Sequence, residues 1–331
     1  MRYLVTASVV AIASAGAAMA EFPEREIRGV IMWGEGGATD NVARALTPHV
    51  EEALDQDIVL ENRSGGGGAV STQWVSSQPA DGYTVLYGAE NPQLHPVLGL
   101  SQLDYRDFTA INVIAQGPAV VVTHPDSDFE TIEDLMEAAL ENPGDIAMGS
   151  TGPGGVTDVV DAMLQDVSGV EFNSVVFDGE GPGMTDLQGG HLDFMTVGLT
   201  SARDTIEAGN LRALATITDE PLEGMEDVPP ITDLYPDFER FLPWGPFYGV
   251  WVHQDTPDEI VEVLSDGFAE GVDHPDFQQF ISDFGAVSLN MRGDEADEYL
   301  RNWQSTTAWL LYEQGEAEAS PEEFDIPRRD E

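Results

Sequence analysis

The residues of this sequence best suited to chemistry lie in short glycine-rich loops that also carry hydroxyls and carboxyls. The first runs from Gly34 to Asp40 and contains Gly36, Gly37, Ala38 and Thr39. The second runs from Ser64 to Gly68, and the third reads Gly88-Ala89-Glu90-Asn91-Pro92. A fourth, from Gly149 to Thr157, includes Ser150, Thr151 and Gly154, and a fifth runs from Asp178 through Glu180 to Gly183. Glycine lets a ligand approach the backbone closely, and free amides at a helix start attract carboxylates. Two such loops facing each other could hold an organic acid without any lysine or arginine. Any one of them also reads as an ordinary strand–helix connection; the set is what carries information.

Several chemistries are missing. There is no cysteine, and all 13 basic residues are arginine. Schiff-base formation, a phosphate-loop lysine and a thiol nucleophile are therefore excluded, as are disulfides and a lipid-bearing cysteine. The six histidines, at 49, 95, 124, 191, 253 and 274, show no metal-ligand spacing. His124 and His274 each precede a proline and read as turns. No Gly-x-Ser-x-Gly elbow and no nucleophile–base–orienter set is visible. No cofactor, no metal and no enzyme activity is expected. With 61 acidic residues and a net charge of −48, the chain should repel nucleic acid and anionic membranes. Such self-repulsion opposes compaction unless salt screens it, and at 1 M the screening length is about 3 Å. A salt-loving source is the expectation.

Around these loops, β-rich runs alternate with helical patterns, which argues for mainly parallel sheets covered by helices. Residues 1–20 read as a cleavable signal peptide: Arg2, an apolar run from Leu4 to Ala18, and Ala18-Met19-Ala20 before the cut. The roughly 310 residues that follow suffice for two domains. Strands are expected at Ile27 to Trp33, Ile58 to Glu61, Tyr83 to Gly88, Ala119 to Thr123, Ile146 to Met148, Phe172 to Phe177, Leu192 to Val197, Leu211 to Ile217 and Phe247 to Val252. A helix should begin near Thr39 or Asp40, with Val42, Leu46, Val50 and Leu54 as its buried stripe. Thr131 with Asp134 forms a capping-box pattern, and Thr256-Pro257-Asp258-Glu259 predicts a helix capped by Thr256. The last long helix should span Asp294 to Tyr312, followed from about 315 by an acidic, solvated tail. The runs at 119–123 and 247–252 read as crossings between a discontinuous first domain (21–122 plus 245–331) and an inserted second domain (123–244). Two lobes joined by double crossings suit a receptor that closes on its ligand.

The sequence resembles the solute receptors of tripartite tricarboxylate transporters, often called the Bug family, from about residue 22 to about 312. The resemblance rests on Phe22-Pro23 with Ile27-Arg28, then Gly36 to Asp40 with Ala43-Arg44, and Glu61-Asn62-Arg63. It continues through Asp81 to Thr84, Leu187 to Asp193, Gly209 to Ala215 and Asp227-Val228-Pro229. It implies an α/β, type II periplasmic binding protein fold with two Rossmann-like lobes and a ligand cleft between them. It also implies capture of mono-, di- or tricarboxylates and delivery to a two-component membrane permease. The expectation is a monomer that captures a small carboxylate in the periplasm.

Carried over by position, the resemblance places Gly36, Gly37, Ala38, Thr39 and Asp40 in a first carboxylate loop, with Asp40 bracing the helix start rather than touching an anion. Ser150, Thr151, Gly154 and Thr157 match a facing loop, while Arg63 reads as a ligand cation or as a brace for its own turn. Where the family usually has Phe-Pro-Ala, this chain has Trp33-Gly34-Glu35. It has Glu90 where a small or hydroxyl residue is frequent, and Asp178 where lysine is common. These departures read either as part of a global acidity or as altered specificity, for an amine-bearing ligand or for an acid stacked on Trp33. Trp244 and Phe247 are cleft-wall or core residues on this reading. A sensor that reports its loaded state to a membrane kinase is an alternative with the same sequence features.

Overall fold

A computed structural model of the chain describes residues 22–177, 179–222 and 224–328. The expected signal peptide, and Asp178, lie outside the described residues. In chain order the elements are β1 (Ile27–Ile31), α1 (Ala38–Leu54), β2 (Ile58–Asn62), α2 (Ala69–Ser76), β3 (Thr84–Ala89), β4 (Phe108–Gln116), β5 (Ala119–Thr123), α3 (Ile132–Glu141), β6 (Ala147–Ser150), α4 (Val156–Ser168) and β7 (Asn173–Val176). Then follow α5 (Glu180–Gln188), β8 (Phe194–Gly198), α6 (Leu199–Glu207), β9 (Arg212–Thr216), α7 (Ile231–Leu234), β10 (Phe247–His253), α8 (Asp258–Asp273), α9 (Pro275–Asp283), β11 (Val287–Met291) and α10 (Asp294–Glu313).

The strands form two sheets. One has six strands in the order β11-β4-β10-β3-β1-β2, and the other has five in the order β7-β6-β8-β5-β9. In each, a parallel half (β2-β1-β3; β7-β6-β8) meets antiparallel strands: β10, β4 and β11 in the first sheet, β5 and β9 in the second. The sheets are thus more mixed than the alternating pattern predicts. Parallel strands need crossover helices, which cover the faces. The ends of those strands leave a row of strand–Gly–helix junctions along one edge, where open α/β sheets bind ligands.

Local sequence explains most elements. In α1, Val42, Leu46 and Val50 are buried, at the spacing of one helical face. The Thr131 hydroxyl accepts from the Asp134 N–H while the Asp134 carboxylate accepts from the Thr131 N–H, a complete capping box for α3. His124 and His274 each accept, through Nδ1, from the N–H two residues on.

Three expectations are corrected. Thr256 does not cap α8: Pro257 holds the position before the first helical residue, its carbonyl accepting from Ile260 and Val261, and the Thr256 hydroxyl is buried without a partner among the described residues. Residues 316–328 do not form a solvated tail. Pro321 and Ile326 are buried, the Trp309 Nε1–H donates to the Ile326 carbonyl, and the Glu318 N–H donates to the Val97 carbonyl. Strands β4 and β11 were not anticipated; β4 is central and β11 closes its edge. Among the described residues no helix is long and apolar enough to cross a membrane.

Candidate functional site

The strand–helix junctions of the two sheets enclose a cleft of about 480 Å³. From the six-stranded sheet, the β1–α1 loop supplies Trp33, Glu35, Gly36, Gly37, Ala38 and Thr39, the end of β3 supplies Glu90 and Asn91, and β10 supplies Tyr248. From the five-stranded sheet come Thr151, Gly155 and Val156 before and at the start of α4, Glu180 at the start of α5, and Thr200, Ser201 and Arg203 on α6. The lobes touch around this space. The Asn91 Nδ2–H donates to the Gly154 carbonyl at 3.3 Å, Thr200 Oγ1 and Tyr248 Oη share a hydrogen bond of 2.9 Å, and Arg203 Nη1–H donates to the Ser282 carbonyl at 3.1 Å.

Four helices start at the cleft, and each starts behind a glycine that provides no side-chain cap: Gly37 for α1, Gly155 for α4, Gly179 for α5 and Gly198 for α6. The first intrahelical bonds of α1 and α4 are Asn41 N–H to the Gly37 carbonyl and Val159 N–H to the Gly155 carbonyl. The earlier amides, Ala38 and Thr39 in α1 and Val156 in α4, therefore have no intrahelical acceptor. They lie at the positive ends of two helix dipoles from opposite lobes.

Asp40 is what holds the α1 loop in shape. Its buried carboxylate accepts from the Gly36 N–H, Arg44 Nε–H and Asn62 Nδ2–H, each at 2.9 Å. Asn62 Nδ2 also donates to the Trp33 carbonyl at 2.9 Å, tying the loop to β2. Burial works against the Asp40 charge, but the bonds from Arg44, Gly36 and Asn62 outweigh it and hold the carboxyl below its ordinary value. Gly36 adopts φ +78°, a conformation that favours glycine.

The predicted residues of the facing loop divide. Thr151 lines the cleft. Ser150 lies beneath it, fully buried, donating to Asp158 Oδ1 at 2.7 Å and accepting from the Gly152 N–H. Thr157 is also fully buried and donates to the Thr196 carbonyl at 2.7 Å. Gly154 is a contact point between lobes: at φ +76°, a side chain there would meet Leu98 at 2.7 Å. So Ser150, Gly154 and Thr157 shape the loop, while the surface offered to a ligand comes from Thr151, Gly155 and Val156. Arg63 is engaged by Glu61 at 2.7 Å and lies over the Trp74 ring, away from the cleft. Trp244 and Phe247 are core residues, with Trp244 Nε1–H donating to Thr307 Oγ1.

Glu90 faces the cleft under opposite conditions to Asp40. Its side chain is only 6% exposed, and Oε2 has no hydrogen-bond partner among the described residues. Burial, with repulsion from Glu180, pushes its carboxyl up to about 8 against the pull of the Glu90 and Phe247 N–H groups. Glu180 reaches the same space from the other lobe. It accepts from the Gly198 N–H at 2.9 Å and from Ser201, and burial raises its carboxyl despite those bonds.

Sequence reading placed Glu180 in a candidate loop without assigning it to the ligand, and it missed Thr200, Ser201 and Tyr248. The signal for Thr200 and Ser201 was available, because Val197-to-Thr200 repeats the strand–Gly–helix grammar of the loops that were read. Tyr248 lies inside a strand, where only the topology turns it to the cleft.

A sequence profile described as tripartite tricarboxylate transporter family receptor matches residues 42–310. The chain is 32% identical over 269 residues to a UPF0065 protein from the tcbD-tcbE intergenic region of Pseudomonas sp. strain P51, covering 80% of this chain and 79% of that one. It is 27% identical to the protein BugT of Bordetella pertussis, covering 90% and 92% of the two chains. Among solved structures, the periplasmic binding protein BugD superposes with a TM-score of 0.81 at 26% identity, covering 89% of this chain and 99% of that one.

Proposed function

This chain belongs to the tripartite tricarboxylate transporter receptor family, and on that premise we propose that it captures a small organic acid in the cleft and delivers it to a two-component membrane permease. The family is one of periplasmic solute-binding receptors, not enzymes. The observation that carries the ligand class is the pair of uncapped helix starts, α1 and α4, facing one cleft from two lobes. A carboxylate there would accept from the open first-turn amides, with Thr39 and Thr151 as further donors, and needs no cationic side chain.

The moving units on this reading are 21–122 with 245–331, and 123–244, adjusted so that β5, which pairs with β8 and β9, moves with the second unit; the protein works as a monomer after export by the 1–20 segment. Closure about the segments just before β5 and β10, where the Gly117 N–H donates to the Pro246 carbonyl, would trap the acid and form the face that the permease recognises. Trp33 and Glu35 would form the cleft rim.

The test is a thermal-shift series at molar salt with mono-, di- and hydroxy-carboxylates and amino acids. A ligand at a hundred times its Kd should stabilise the protein by about 2.7 kcal/mol. If no acid shifts the melt of the folded protein, the carboxylate reading is wrong.

A further inference from the structure

The charged groups lining the cleft do not match a plain anion site. Glu35, Glu90, Glu180, Asp204 and Asp283 line it, against one basic residue, Arg203. Arg203 is already engaged, by Glu207 through Nε at 3.1 Å and by the Ser282 carbonyl through Nη1 at 3.1 Å. Global acidity explains carboxylates at a solvated rim. It does not explain Glu90, because a group with 6% of its surface exposed gains little from bulk salt or water.

Glu90 also lacks the full set of partners that buried carboxylates normally have, with only the Glu90 and Phe247 N–H groups donating to it. Its Oε2 has no partner, and neither does Oδ1 of the adjacent, equally buried Asn91, among the described residues. Glu180 stands in the same cleft from the opposite lobe, fixed by the Gly198 N–H and the Ser201 hydroxyl. Around them Tyr248 Oη and Thr200 Oγ1 share one hydrogen bond, which commits one of their two hydroxyl protons. The buried Tyr299 hydroxyl is also unpartnered, yet Glu90 Oε2 and Asn91 Oδ1 receive no donor among the described residues, and leaving such groups buried and unpaired is unfavourable.

We propose that Glu90 and Glu180 form a subsite for a ligand ammonium group, so that the captured acid is an amine-bearing one, gripped by its carboxylate at the α1 and α4 amides and by its amine between the two glutamates. This rests on the carboxylate reading above. An ammonium carries three N–H donors and no acceptor. It can satisfy Glu90 Oε2, Glu180 and Asn91 Oδ1 together, and its charge removes the repulsion between the two carboxyls. Because one glutamate comes from each lobe, the amine would also favour the closed arrangement. A simple dicarboxylate would instead bring further negative charge to this pair.

The experiment is calorimetric titration of the full protein at high salt with matched acids differing only in an amine: aspartate against succinate, glutamate against glutarate, and 4-aminobutyrate against butyrate. The amine-bearing member of at least one pair should bind tenfold or more tighter. Glu90→Gln and Glu180→Gln should each reduce that ratio at least tenfold; with two variants, misfolding of one leaves the test intact. If the amine-free acids bind as well or better, or if both variants keep the ratio, the subsite is wrong while the carboxylate reading survives. If no acid of either kind binds the folded protein, both fall.

Discussion

Asp40 and Glu90 sit at corresponding places, each following a strand of the same sheet at the edge of the cleft, and each is almost entirely buried. Asp40 accepts from Gly36, Arg44 and Asn62, so its charge is held and the α1 loop is held with it. Glu90 has no such side-chain partners, and its carboxyl is raised rather than lowered. The difference separates a carboxylate that builds a site from one that waits for a ligand. Burial alone says which residues are inside; the count of donors says which of them are finished.

The largest effect should come from removing the unfinished charge. A carboxyl raised in the folded state from 4.5 to about 8 keeps its proton longer than in the unfolded chain. Between those values the folded state binds more protons, and stability falls as pH rises. Glu180 is the charged group that disfavours Glu90 ionisation, and a Glu90 charge in turn holds the hydroxyls of Tyr248, Tyr105 and Tyr299 protonated. Glu90→Gln should therefore stabilise the ligand-free protein at pH 8 by on the order of 3 kcal/mol and have little effect near pH 4.5. Denaturant melts across that range check it. Loss of stability in Glu90→Gln at pH 8 would erase the contrast with Asp40.

Asp40→Asn should act in the opposite direction. It keeps the shape but leaves Arg44 and the Gly36 N–H facing a weaker acceptor, at a cost of about 2 kcal/mol. It should also weaken acid binding at least tenfold, because the amides of Ala38 and Thr39 lose their fixed positions. A variant with parental stability and affinity would show that the loop does not need its brace.

Salt separates surface from interior. The melting temperature should rise from 0.1 to 1 M salt as the screening length drops from about 10 to about 3 Å. The difference between the parent and Glu90→Gln at pH 8 should stay nearly constant, because Glu90 is buried. A gap that closes with salt would place Glu90 among the solvated carboxylates.

The smallest change in stability is expected at Gly37. Its φ of −77° and ψ of 171° suit serine, and an added Cβ would meet only the Gly34 carbonyl at 3.5 Å. Gly37→Ser should cap α1 and stabilise the free protein by a few tenths of a kcal/mol. It should also weaken acid binding, since the hydroxyl competes for the same amides. Tighter binding would mean that those amides are not the anion grip.

The fold was legible where one residue pattern had one solution. Val120 to Val122 and Val250 to Val252 could only be buried strands, and the Thr131–Asp134 box marks its helix start without ambiguity. Strand β4 mixes Asn112 and Thr109 into its apolar run, because both faces and two antiparallel neighbours contribute to its environment. Strand β11 is an exposed edge with no strong run of its own. The final segment docks through isolated residues, Pro321 and Ile326, which create no periodicity. In the cleft, the glycine junctions were readable because they are local. The pairing of Glu90 with Glu180 was not, because it exists only where two lobes meet.

The most direct test of the account is proton release on binding. The amine-bearing acid that binds in the matched titrations would be titrated at pH 7 in buffers of different ionisation enthalpy. A carboxyl poised near 8 when empty should ionise against an ammonium, releasing about one proton per ligand, and Glu90→Gln should abolish the release. Binding heats that are independent of the buffer, in a parent protein that still prefers the amine, would contradict the claim that Glu90 is held uncharged until its ligand arrives.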